Sequence, residues 1–87
     1  MAIWQVEFSK QAYKSYQELE KGYQRKIDRV LGWLINKEKV DIKPIEGEKD
    51  IYRLRVGKYR ILLKFRKNEK VILVIRIGLR GDVYKKR

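Results

Sequence analysis

The residues best able to do chemistry fall in one stretch, Tyr52-Arg53-Leu54-Arg55-Val56-Gly57-Lys58-Tyr59-Arg60. Alternate residues of a strand share a face, so Arg53 and Arg55 point one way and Tyr52, Leu54 and Val56 the other. Gly57-Lys58 reads as a two-residue turn of the type with glycine first. That turn pairs Val56 with Tyr59 and sets Arg55 opposite Arg60. Like charges placed directly opposite destabilise a sheet. A chain shaped by folding alone has little reason to gather Arg53, Arg55, Arg60, Lys64 and Arg66 on one face. Arginine suits phosphate, because its fork is planar, bidentate and permanently charged. The plainer account is the solvated side of a half-buried sheet, and the facing cations argue against it.

A second stretch follows the last apolar run: Arg76-Ile77-Gly78-Leu79-Arg80-Gly81-Asp82-Val83-Tyr84-Lys85-Lys86-Arg87. Gly78 and Gly81 punctuate a turn with Arg80 between them. An aromatic beside cations can stack on a nucleobase, which fits Tyr84 next to Lys85. Lys86 and Arg87 read as a solvated terminus. The chain has no histidine and no cysteine. That excludes Ser/His and Cys/His catalysis, disulfides and the usual transition-metal ligands. Lys58, Lys64, Tyr84 and Lys85 are left as titratable candidates for proton transfer. No metal or other cofactor is expected.

Lys and Arg total 23 against 11 Asp and Glu, a formal net charge of +12. In 87 residues that much charge repels itself and calls for a polyanionic or acidic partner. The basic residues are spread through strands and helices rather than gathered on one amphipathic helix, which disfavours a membrane surface. No apolar run is long enough to span a bilayer, and Met1 to Phe8 lacks the pattern of a secretory signal. A cytoplasmic location is expected.

These residues need elements to hold them. Ala2 to Phe8 alternates, with Trp4, Val6 and Phe8 on one side, and reads as a strand. Ser9 is a plausible N-cap for a short helix carrying Ala12, Tyr13, Tyr16 and Leu19. Gly22 breaks it. Tyr23, Ile27, Val30, Leu31, Leu34 and Ile35 then mark one face of a second helix. Asn36 to Asp50 holds the only proline, Pro44, and reads as a connecting loop with a short extended piece around Ile42. Ile51–Val56, Tyr59–Arg66 and Val71–Ile77 read as three strands with links too short for a parallel crossover, hence an antiparallel meander. Tyr52, Leu54, Val56, Tyr59, Ile61, Leu63 and Phe65 form its apolar side. The expected fold is α+β, one domain over residues 1–87. A four-stranded sheet carries a helix hairpin on one face.

With those motifs in view, the chain resembles the RelE/ParE toxin superfamily over nearly its whole length. The carriers are Tyr-Arg-Leu-Arg-Val-Gly-Lys-Tyr-Arg, the following apolar strand, and Gly-Leu-Arg-Gly-Asp-Val-Tyr. Ile45-Glu46-Gly47 is similar to the family's Leu-Lys/Glu-Gly step. The resemblance implies a toxin of a type II toxin–antitoxin system. A RelE-like member cleaves mRNA in the ribosomal A site, by attack of a ribose 2′-hydroxyl on the adjacent phosphate to leave a 2′,3′-cyclic phosphate. The family's basic pair falls on Arg53 and Arg55, its next arginine on Arg60, its late arginine on Arg80 and its C-terminal tyrosine on Tyr84. These are the implied catalytic residues, with Lys58, Lys64, Arg66 and Lys85 as further RNA contacts. The implied partners are a small acidic RelB-like antitoxin, the ribosome with its mRNA, and operator DNA only through the antitoxin complex.

Two departures bear on mechanism. Some members carry lysine where this chain has Arg53 and Arg55, and many have histidine where it has Leu79. Arginine is effectively unable to lose its proton, so catalysis is expected to rest on positioning and electrostatics. A ParE-like inhibitor of DNA gyrase, a non-catalytic RNA- or ribosome-binding module and an inactive remnant are the alternative readings.

Overall fold

The computed structural model describes residues 4–79. The elements run β1 (Gln5–Phe8), α1 (Lys10–Gln17), α2 (Lys21–Ile35), β2 (Ile42–Pro44), β3 (Ile51–Val56), β4 (Tyr59–Arg66) and β5 (Val71–Leu79). One sheet takes them in the order β1-β5-β4-β3-β2. The α+β class and the antiparallel β3-β4-β5 meander are as expected, and Val56 does pair with Tyr59 and Arg55 with Arg60. Gly57 takes φ +59° while Lys58 stays out of the positive-φ region, as a glycine-first hairpin turn requires.

The sheet has five strands rather than four. The extended piece at Ile42 is a true edge strand, antiparallel to β3 with Ile42 opposite Leu54 and Pro44 opposite Tyr52. An edge is where a sheet tolerates proline, because nothing beyond it needs the missing N–H. At the other edge β1 lies parallel to β5, with Val6 beside Ile72 and Phe8 beside Val74. The helix pair between β1 and the rest of the chain supplies the long connection.

The core lies on one face only. Leu54, Val56, Ile61, Leu63, Ile72, Val74 and Ile77 from the sheet meet Ala12 of α1 and Ile27 and Leu31 of α2, all buried. No polar or charged side chain is buried with them among the described residues.

The break between the helices is not at Gly22. Helix α1 ends at Gln17 and α2 starts at Lys21, so Gly22 sits in the first turn of α2. The interruption falls at Glu18–Glu20, where Glu20 is extended with ψ 149°. Leu19 is packed against the core there. The side-chain amide of Gln24 donates to the carbonyls of Tyr16 at 2.8 Å, Leu19 at 3.3 Å and Gln17 at 3.5 Å. Gln24 thus adds a side-chain donor to the C-terminal end of α1, where carbonyls run out of intrahelical partners. Tyr16 also ties the pair together by donating to Asp28 at 2.8 Å. Burial first, and then the Asp28 carboxylate, push the Tyr16 hydroxyl up to about 12.

Strand β5 contains a bulge. Leu62 is opposite Arg76 but Leu63 is opposite Val74, so Ile75 has no counterpart on β4. Ser9 attends to it. Its hydroxyl accepts from the Ala12 amide at 3.1 Å as the N-cap of α1 and donates to the Ile75 carbonyl at 2.9 Å. One side chain thus starts a helix and satisfies the residue that the bulge leaves unpaired.

Candidate nucleic-acid interface

The face turned away from the helices is built in rows across the strands. One row runs Arg55 on β3, Arg60 on β4 and Gly78 on β5. The next runs Lys43 on β2, Arg53 on β3, Leu62 on β4 and Arg76 on β5. Arg60 is therefore directly opposite Arg55 and diagonal to both Arg53 and Arg76. Neighbours of this kind lie within reach of long side chains. Gly78 was expected in a turn. It is instead paired in β5 opposite Arg60, where it adds no side chain beside that guanidinium.

The burial of these side chains is graded. Arg53 is 15% exposed at its side chain and Arg55 49%. The Nε of Arg60 is buried and has no hydrogen-bond partner among the described residues. A buried donor without an acceptor is costly, and an anionic ligand oxygen would remove that cost. Asp41, just before β2, lies near two of the arginines: 3.9 Å from Arg53 and 3.7 Å from Arg55.

Of the residues expected at a site, the fold brings Arg53, Arg55 and Arg60 together. Lys58 lies elsewhere: its Nζ is 5.6 Å from the Tyr23 ring and 5.7 Å from the Tyr59 ring, on the helix side of the hairpin tip. Lys64 is on the same strand as Arg60 but about 13 Å further along at strand rise. Arg66, at the far turn, pairs with Glu69 at 3.7 Å. Arg80, Tyr84 and Lys85 lie outside the described residues. Strand β5 is described as far as Leu79, opposite Tyr59 and next to the Arg60–Gly78 pair.

Sequence reasoning missed Arg76 and Asp41 as members of this face. Simple alternation along β5 puts Arg76 on the same side as Ile72 and Val74, in the core. The extra residue at Ile75 reverses the alternation, so Val74 and Ile77 are both buried and Arg76 turns to the arginine side. Asp41 could be placed only after β2 was known to pair with β3.

Beside Arg55 a cleft of about 290 Å³ opens toward α2, with Val30, Trp33 and Val40 as its apolar wall and Lys26 and Lys39 among its rim. Trp33 is 41% exposed there. This face gathers arginines on adjacent strands with one guanidinium donor unmet among the described residues, an arrangement chemically suited to an anion such as a phosphate.

Comparison with known proteins agrees with this architecture. Residues 3–84 match the family described as ParE toxin of the type II toxin–antitoxin system parDE. A RelE1 protein of Methanocaldococcus jannaschii is 31% identical over 84 residues, covering 92% of this chain and 93% of its own length. The crystal structure of the archaeal RelE–RelB complex from Pyrococcus horikoshii superimposes with a TM-score of 0.76 at 30% identity, covering 93% of this chain and 99% of that one. The RelB–RelE antitoxin–toxin complex from Methanococcus jannaschii gives 0.75 at 28% identity, over 91% and 95%. Fold and sequence thus agree, and the chain belongs to the RelE/ParE superfamily, as a toxin of a type II toxin–antitoxin system.

Proposed function

We propose that this toxin is an endoribonuclease that cleaves messenger RNA in the ribosomal A site and so halts translation. The observation that carries the reading is Arg60 set opposite Arg55 and diagonal to Arg53 and Arg76 on the sheet face turned away from the helices. A phosphodiester brought there would have its non-bridging oxygens among guanidinium groups. The ribose 2′-oxygen attacks phosphorus, and the bond to the 5′-oxygen of the next nucleotide breaks. The products are a 2′,3′-cyclic phosphate and a free 5′-hydroxyl. Negative charge grows on the phosphate oxygens in between, and fixed cations stabilise that state more than the ground state. In this reading Arg53, Arg55, Arg60 and Arg80 supply the charge, and Tyr84 stacks on or orients a nucleotide. Lys64, Arg66 and Lys85 guide the flanking strand, while Lys58, held over the Tyr23 and Tyr59 rings, takes no part. The ribosome presents the substrate in a reactive geometry, which the arginines alone do not impose.

The controlling partner is a small acidic RelB-like antitoxin. Support comes from the net charge of +12 and from the similar toxins of Pyrococcus and Methanococcus, which are complexes with RelB. Operator DNA is reached through that complex, and the site of action is the cytoplasm. In a translation extract, primer extension is expected to show message cut at A-site codons with the wild-type toxin. Loss of at least a hundredfold in rate is expected for the Arg55→Ala, Arg60→Ala double variant, a scale typical of removing transition-state charge stabilisation. Undiminished cleavage by that variant would remove the arginine face from the mechanism.

One observation favours a second reading: the matching family model is that of ParE toxins. A ParE-like toxin inhibits DNA gyrase and cuts no RNA. Induction of DNA-damage signalling with intact message would establish that reading in place of the first.

A further inference from the structure

The arginine face carries a carboxylate of its own. Asp41 continues the register of β2, in which Ile42 faces Leu54, and so stands opposite Arg55 in the row that goes on to Arg60 and Gly78. Its backbone is fixed there, because the Arg55 amide donates to the Asp41 carbonyl at 2.9 Å. Its side chain is engaged differently. Oδ1 is 3.9 Å from Nη2 of Arg53, and Oδ2 is 3.7 Å from Nη1 of Arg55. Each carboxylate oxygen faces a separate guanidinium, as two oxygens of a bound phosphate would.

Both separations exceed hydrogen-bond length, so these are charge contacts without a directional bond. Asp41 and Arg55 are each about half exposed at the side chain, and an ion pair in that setting is weak and screened by salt; Arg53 is more buried, but its contact is the longer of the two. A doubly contacted but loosely held carboxylate has the properties of a replaceable ligand.

We infer that Asp41 is an internal counter-ion occupying the phosphate subsite of Arg53 and Arg55, and that an RNA phosphate must displace it to bind. The inference rests on the reading of this face as an RNA site. With the subsite empty, Asp41 offsets the repulsion among the arginines and keeps Arg53 and Arg55 oriented toward one point. With RNA present, its charge competes for the same two guanidinium groups. It thereby sets how strongly a phosphate must bind before the subsite opens. The fixed backbone and free side chain allow the exchange without moving β2.

The test uses the full-length toxin and a short fluorescein-labelled single-stranded RNA made uncleavable by 2′-O-methylation, read by anisotropy. Asp41→Asn keeps the shape and removes the charge, and is expected to tighten binding by about two- to fivefold, the range of an exposed ion pair. Glu18→Gln changes net charge equally at the exposed end of α1 and is expected to give a smaller gain. In an Arg53→Ala, Arg55→Ala background, the Asp41→Asn gain is expected to vanish. Equal gains from the two neutralised acids, or a gain that persists without the arginines, would overturn the counter-ion. So would unchanged or weaker binding by Asp41→Asn. If wild type and Arg60→Ala bind the RNA alike, the phosphate-site reading itself fails, whatever Asp41→Asn does.

Discussion

Arg60 owes its position to two neighbours that a stability-driven sheet would avoid. Arg55 faces it directly, and Arg76 lies on the diagonal beyond Gly78. The first of these was legible in the sequence, since a glycine-first two-residue turn fixes the pairing of the residues around it. The second was not, because it depends on Ile75 being skipped by β4. Lys58 shows the converse: its sequence position beside the arginines suggested a shared site, and its side chain instead lies over the Tyr23 and Tyr59 rings. The group that binds RNA is accordingly expected to include Arg76 and to depend little on Lys58. Arg76→Ala should weaken binding of a 2′-O-methylated RNA roughly tenfold, the scale of a charged hydrogen bond lost. Lys10→Ala, on the exposed start of α1, serves as the equal-charge control. Equal effects of the two substitutions would show that Arg76 contributes only bulk charge.

At the scale of elements, the arginine face depends on contacts made on the opposite side of the sheet. The parity of β5 decides where Arg76 points, and the bulge that sets it is attended by Ser9. The expectation of Ser9 as an N-cap was met, with the Ala12 amide as its donor. Its second bond, to the Ile75 carbonyl 66 residues away, has no local signature. The helix break lacks a local signature for a related reason. Gly22 is the obvious local breaker, but the chain turns earlier, where Leu19 reaches the core and the Gln24 amide donates to the Tyr16 and Leu19 carbonyls. Strand β2 was only half legible, because a three-residue edge strand is specified by its partner β3 more than by its own pattern. Ser9→Ala is expected to lower unfolding stability by about 1–2 kcal/mol, the cost of a lost cap with an added unpaired carbonyl. Urea unfolding measures it. Ser9→Thr keeps the hydroxyl and is expected to recover most of the loss. If Ser9→Ala matched wild type, the link from α1 to the bulge would have no energetic weight.

Over the whole molecule the same charge acts in opposite directions on folding and on binding. The sequence carries a net +12, and the ion pairs among the described residues are long contacts of 3.7 to 3.9 Å, each with at least one well-exposed partner, too weak to cancel it. Self-repulsion destabilises the compact state and is screened by salt, whereas salt competes with RNA phosphates for the same cations. Arg60 is where the two effects should separate most clearly, since it faces other arginines and has no ion pair among the described residues. Arg60→Gln is expected to raise the melting temperature at low salt by about 2–6 °C. That corresponds to removing an opposed like-charge pair of a few tenths to about 1 kcal/mol in a domain of this size. The difference from wild type should shrink as salt rises through several tenths molar and the Debye length contracts. The same substitution should weaken RNA binding and flatten its dependence on salt concentration by about 0.7 in the log–log slope, the contribution of one single-strand phosphate. A stabilised protein that binds RNA less well would show that this cationic centre is kept at the expense of stability. A destabilised one would mean that Arg60 serves the fold, and the functional account of the face would have to begin from other residues.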